Sequence, residues 1–167
     1  MKEESLDSKE ETSLKGAGMK GRLRPGLQAV ERDAPNRQQA LAKLCARVAY
    51  ENRAEDIRIL RIGSLCSYTD FFVLATGMNR NQLRAIAEET DEAMEASALA
   101  RRGREGMETG GWVLLDYGDV IVHLFEPDAR NFYQLEELWA DAPVVRWARP
   151  RHAPRPRERA KRGAKAS

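Results

Sequence analysis

The pattern of apolar and polar positions divides the chain sharply. Residues 1–36 show no apolar period and are broken by Gly16, Gly18, Gly21, Pro25, Gly26 and Pro35, a composition that predicts a disordered extension. From Arg37 the pattern changes. Leu41, Leu44, Cys45 and Val48 recur at helical spacing, which predicts a helix from Arg37 to Glu51 with Asn36 as its cap. Ile57 to Ile62 reads as a strand ended by Gly63 and Ser64. Phe71 to Thr76 is apolar on both faces, as a central strand would be, and Gly77 closes it. Asn79 or Asn81 then opens a long helix reaching about Leu99. Leu83, Ile86, Ala87 and Met94 form its inner stripe, and Glu88, Glu89, Asp91, Glu92 and Glu95 lie outward.

Trp112 to Asp116 and Val120 to Phe125 are two further strands, with Tyr117-Gly118 as a two-residue turn between them. The last helix begins with Pro127 in its first turn and Asp128 near its positive end. Phe132, Leu135, Leu138 and Trp139 are expected to face inward, and Pro143 stops any continuation. A short strand near Glu105 to Glu108 is only weakly signalled. The order predicts an α/β fold, a mixed β-sheet of about five strands packed with helices. The predicted domain spans residues 37–147, between the extension and a tail at 148–167.

Charge adds a second division. The net of +2 averages a balanced extension, a domain with 13 basic and 18 acidic residues, and a tail with eight basic residues and one acidic. Two surfaces of opposite sign follow, and the tail is the part suited to RNA. Two cysteines, Cys45 and Cys66, make no disulfide framework, and their apolar surroundings predict buried free thiols in a reducing compartment. No apolar run approaches the roughly 20 residues of a membrane span. The acidic N-terminus lacks the features of a secretory signal or transit peptide, so a bacterial cytoplasm is the expected location.

Catalytic motifs are scarce. Asp70, Asp116 and Asp119 could hold Mg²⁺ if they converged, but acids at strand ends and turns ordinarily bond local backbone N–H groups. Gly63-Ser64 ahead of them is similar to nucleotidyltransferases. Those enzymes need paired acids on the next strand, and here Asp70 is followed by Phe71 and Phe72, so two-metal chemistry lacks its ligands. His123 sits in a strand among apolar neighbours. A hydrogen-bonded structural histidine is favoured over a nucleophile pair with Cys66. His152 lies in the tail. Gly103 and Gly106 are too closely spaced for a phosphate loop. No metal and no cofactor are expected. Trp112 and Tyr117 are better placed as exposed anchors for a protein partner, although Trp112 could instead pack under the neighbouring helix.

The stretch Trp112-Val-Leu-Leu-Asp-Tyr-Gly-Asp-Val-Ile-Val-His123, followed by Arg130, Tyr133, Leu135, Glu136 and Leu138-Trp139, resembles the signature of the ribosomal silencing factor family, known in plants as Iojap. Ser67 to Gly77, Asn79 to Glu89 and the Glu105-Gly106 turn are also similar, so the resemblance covers roughly Gln38 to Trp139. It implies a catalytically inactive, nucleotidyltransferase-like fold. It implies binding to the large ribosomal subunit through ribosomal protein number fourteen at the intersubunit face, blocking small-subunit joining when nutrients fall. Organelle members assist large-subunit biogenesis, which is the alternative role. The partner-facing set expected is Asp70, Trp112, Asp116, Tyr117, Asp119 and His123. Arg151, Arg155, Arg157, Arg159, Lys161 and Arg162 of the tail are expected on rRNA. Monomer and homodimer both remain open for the free chain.

Overall fold

The computed structural model describes residue 23, residues 26–108 and residues 111–150. Helix α1 (Arg37–Glu51) leads into strands β1 (Glu55–Arg61) and β2 (Phe71–Thr76), then helix α2 (Arg80–Ala96). Strands β3 (Gly103–Glu105), β4 (Trp112–Asp116) and β5 (Val120–Phe125) follow, then short helices α3 (Pro127–Tyr133) and α4 (Leu135–Leu138). The five strands form one mixed sheet in the order β1-β2-β5-β4-β3. Only β2 and β5 pair in parallel; the other three pairings are antiparallel. These two central strands are the ones buried along their whole length, as their unbroken apolar runs require.

Both long helices pack on one face of the sheet. Leu41 and Cys45 of α1 and Leu83, Ile86 and Met94 of α2 meet Ile59, Val73, Val122 and Leu115 there. The Cys45 thiol lies 3.7 Å from the Met94 sulfur, and burial pushes its pKa up, so it is an inert packing group. Cys66 is free and half-buried. At the start of α2 the Asn79 side chain accepts from the Gln82 backbone N–H at 2.9 Å, while the Gln82 side chain accepts from the Met78 N–H at 2.7 Å, a reciprocal cap. Asn36 precedes α1 as expected but in the left-handed region at φ 51, with no side-chain cap bond.

Four expectations are corrected. The segment from residue 26 is part of the fold: Leu27 is buried against Leu44, Val48 and Ala93, and the Ser97 hydroxyl accepts from the Val30 N–H at 2.9 Å. Two apolar side chains three apart suffice to dock an otherwise polar segment. The last helix is two helices, because Gln134 adopts φ 44 and resets the helical phase. Leu135 is therefore buried and Trp139 half-buried, but Phe132 and Leu138 point outward, 80% and 75% exposed. The two-residue turn is Gly118-Asp119, with the Tyr117 N–H donating to Val120 O at 2.9 Å and Gly118 leading at φ 85. The weak strand falls at Gly103–Glu105 and is ended by Gly106 at φ 87, where a Cβ would lie 1.8 Å from the Trp112 carbonyl oxygen.

Beyond Ala142 the chain turns back along the outer edge of β1. The Arg61 N–H donates to Pro143 O at 2.9 Å, and the Val145 N–H donates to Ile59 O at 2.8 Å. That edge of the sheet is thereby covered. The ordered fold reaches Pro150, whose carbonyl accepts from the Tyr50 hydroxyl at 3.1 Å, so it also extends past residue 147.

Candidate partner-docking face

Period two along β4 and β5 decides which side chains share the second face of the sheet. Trp112 and Leu114 alternate with Val113 and Leu115, and His123 and Phe125 alternate with Val122 and Leu124. Trp112 stands opposite Phe125, and its indole stacks on that ring at 5.3 Å between centroids. Tyr133 of α3 closes on the indole at 4.4 Å. Phe72 of β2 meets His123 edge-on at 4.7 Å and Trp139 edge-on at 5.4 Å. The result is a continuous aromatic cluster running from the buried sheet out to Tyr133 and Phe132, which touch at 5.0 Å. Tyr133 is 43% exposed. Trp112 is half-buried, with one part of its surface under α3.

His123 serves the cluster. The Trp112 Nε1–H donates to its Nδ1 at 3.1 Å. The indole nitrogen can only donate, so the ring is neutral with its proton on Nε2. Burial foremost, and then the nearby Arg130 guanidinium, push its pKa down to about 4. Arg130 is the other buried polar group here. Its Nε donates to Glu136 at 2.6 Å, one terminal nitrogen donates to the Thr76 hydroxyl at 3.1 Å, and the other to Asp56 O at 3.0 Å. This one side chain ties α3 and α4 to the ends of β1 and β2, and it lies over the Phe125 ring.

The residues expected to face a partner do not form one site. Trp112 and His123 lie on this face, but His123, 4% exposed, is buried beneath the cluster and does not itself face a partner. Asp116 lies four residues from Trp112 along β4, about 14 Å at the usual strand rise, but only two residues from Leu114, the partner of His123. Asp70 and Asp119 precede β2 and β5, four residues along the strands from the level of His123. Asp116 accepts from the Gly118 N–H at 2.8 Å, and the Asp119 carbonyl accepts from the Asp70 and Phe71 N–H groups at 3.0 Å. Among the described residues no group of three potential ligands could hold a metal ion.

Tyr117 is a correction. It is 1% exposed and belongs to the α1–α2 face, because it continues the inward series of Val113 and Leu115. Its hydroxyl donates to Asp91 Oδ1 at 2.5 Å, and Arg101 pairs with the other oxygen. Burial above all raises its pKa. Periodicity missed the exposure of Phe132, which belongs to the cluster, and of Leu138 on α4. The tail residues Arg151, Arg155, Arg157, Arg159, Lys161 and Arg162, and His152, lie outside the described residues.

The aromatic cluster thus emerges beside exposed apolar side chains. The family described as "ribosomal silencing factor during starvation" matches residues 35–167. The chain belongs to the ribosomal silencing factor family. It is 36% identical over 108 residues to the ribosomal silencing factor of Bacillus subtilis, covering 65% of this chain and 92% of that protein. The chloroplastic Iojap protein of Arabidopsis thaliana is 36% identical over 103 residues, 62% of this chain and 43% of the plant protein. Crystal structures of similar proteins confirm the mixed five-stranded α/β fold. That from Chromobacterium violaceum has a TM-score of 0.59 at 31% identity and covers 69% of this chain and 91% of its own. That from Bacillus halodurans has a TM-score of 0.57 at 34% identity and covers 65% and 98%. Membership of this silencing-factor family associates the chain with translation regulation and the ribosome. Among the described residues no helix is long and apolar enough to cross a membrane.

Proposed function

We propose that this protein silences translation by docking on the large ribosomal subunit, through ribosomal protein number fourteen at the intersubunit face, and sterically blocking entry of the small subunit. The observation that carries the reading is the aromatic outcrop of Trp112, Tyr133 and Phe132, with Leu138 also exposed on α4. The exposed charges of the α3–α4 segment itself have one sign. Asp128, Glu137 and Asp141 are exposed, whereas the only cation between residues 126 and 142, Arg130, is buried and paired. An apolar centre with an acidic rim suits a basic ribosomal protein. An interface of about 1,200–2,000 Å² anchored by a few aromatics is sufficient for tight binding.

No bond is made or broken in this mechanism. The reading as a non-enzyme is supported by Asp116, which spends a carboxylate oxygen on its own turn, and by Asp70 and Asp119, which lie four residues along the strands from His123. Detectable Mg²⁺-dependent nucleotidyl transfer by the purified protein, lost in Asp116→Asn, would overturn it. The alternative role, assistance in large-subunit biogenesis, uses the same docking face.

The test uses Phe132→Ala and Leu138→Ala, whose side chains are outside the core, together with Trp112→Ala. Each surface change should leave the melting temperature unaltered. At least one should weaken binding to purified large subunits by about 2 kcal/mol, and Trp112→Ala by about 2–4 kcal/mol. Co-sedimentation of the wild type with large subunits, and not with joined pairs, is expected. Full binding by all three folded variants would place docking elsewhere on the molecule.

A further inference from the structure

A second surface lies along the outer edge of β1. Where the chain returns past Pro143, it leaves a groove of about 500 Å³ between β1 and residues 144–149. Three arginines line it: Arg58 on β1, and Arg146 and Arg149 on the returning segment. Asp56 is its one carboxylate, and that charge is already shared: Oδ1 meets Arg58 Nε at 3.0 Å and Oδ2 faces buried Arg130 at 3.4 Å. Arg146 forms no ion pair among the described residues. Arg149 is held in place, with its guanidinium carbon 5.7 Å from the centroid of the Trp147 ring. Trp147 is fixed in turn by the edge of Tyr50 at 5.9 Å, and the Tyr50 hydroxyl bonds to Pro150 O.

The neighbouring groove, of about 730 Å³ against α1, shares Arg149 and adds Lys43 and Arg47. It also contains Glu31 and Asp33 and so presents no consistent sign. The β1-edge groove sets three arginines against the single Asp56, whose charge is shared with Arg130. It is also where the described residues end, ahead of a sequence carrying Arg151, Arg155, Arg157, Arg159, Lys161, Arg162 and Lys165. Guanidinium groups meet phosphate oxygens bidentately, and three of them along one edge form a track for a polyanion.

We propose that this groove binds the phosphodiester backbone of single-stranded RNA, with Arg58, Arg146 and Arg149 each neutralising a phosphate. Trp147, with Arg149 on its ring and Tyr50 at its edge, holds a cation and is not a stacking site for a base, so the contact is independent of base sequence. The choice of RNA among polyanions rests on the ribosomal reading above. Asp56 connects the groove to Arg130 of the aromatic face, and different measurements test the two.

The experiment titrates a fluorescein-labelled oligouridine of about 12 nucleotides with the full chain, by anisotropy, over a range of salt. The triple variant Arg58→Gln, Arg146→Gln, Arg149→Gln changes only exposed side chains. Its log–log salt slope should be shallower by about two, at about 0.7 per phosphate contact. Arg146→Gln alone removes no ion pair, keeps the fold in any event, and should account for about one contact. Trp112→Ala should leave the slope unchanged, which separates this site from docking. Unchanged slopes in both arginine variants would overturn the proposal. So would an oligoglutamate of equal length that binds as tightly as the RNA and is lost equally in the triple variant, because the groove would then take an acidic protein segment.

Discussion

His123 shows how a single residue here is committed to structure. Its Nδ1 accepts from Trp112, and its Nε2 is buried without a hydrogen-bond partner among the described residues. Both facts disfavour the charged ring. The folded-state pKa of about 4 lies below the ordinary value of 6.5, so between these pH values the unfolded chain binds the extra proton. The stability supplied by the neutral ring is therefore full above pH 6.5. It declines as pH falls towards 4, by at most about 1.4 kcal/mol per pH unit. His123→Gln retains an acceptor for the indole and removes the titration. Urea midpoints at pH 7 and pH 5 should fall further for the wild type than for this variant, and an equal fall would mean that His123 is not the coupled group. Its structural role was legible from its place in an apolar strand. Tyr117 was misplaced by its position at a turn. Counting by twos from Val113 would have put it inside, and only the need of its hydroxyl for a partner, met by Asp91, lies beyond the pattern.

At the scale of elements, strands β2, β4 and β5 and helix α1 fall where their apolar periods put them. The last helix does not, and the reason is local. Gln134 is an ordinary helix former, so nothing in its chemistry announces a left-handed residue that rotates everything after it. The Arg130–Glu136 pair that stabilises the break was equally hidden, because a spacing of six is not one at which helical side chains meet. The sequence resemblance marked both residues as part of a signature, without a role. Their role here is to clamp α3 and α4 over the aromatic cluster. Removing one partner of a buried pair typically costs about 3–5 kcal/mol. Glu136 is 21% exposed, and Arg130 keeps Thr76 and Asp56, which reduces the expected cost of Glu136→Gln to about 2 kcal/mol. Adding Arg130→Met to Glu136→Gln should cost less than the sum of the two single changes. Strict additivity in a double-mutant cycle of urea melts would show that the clamp is not a coupled unit.

The whole molecule is a single sheet with two unlike faces. The α1–α2 face is covered along its length, and the other is covered by eleven residues of short helix, seven in α3 and four in α4, leaving its aromatic margin open. Sequence alone indicated an acidic domain, but not that three of its acids are exposed on the segment that carries the open margin, since the exposure of that segment follows from the break at Gln134. This arrangement separates the two rate constants of docking. Rim charges act at a distance and steer encounter, whereas buried aromatics hold the complex once formed. Phe132→Ala should therefore raise the dissociation rate from the large subunit and leave the association rate within about threefold. The combined change Asp128→Asn, Glu137→Gln, Asp141→Asn should do the reverse, slowing association and flattening its dependence on salt, because steering between exposed charges is screened beyond about 10 Å at 0.1 M. Stopped-flow mixing with labelled subunits at two salt concentrations reads both constants. If the acidic rim proves kinetically silent while the aromatic changes still accelerate release, the partner surface is not basic. The protein would then dock through the same face on a different ribosomal component.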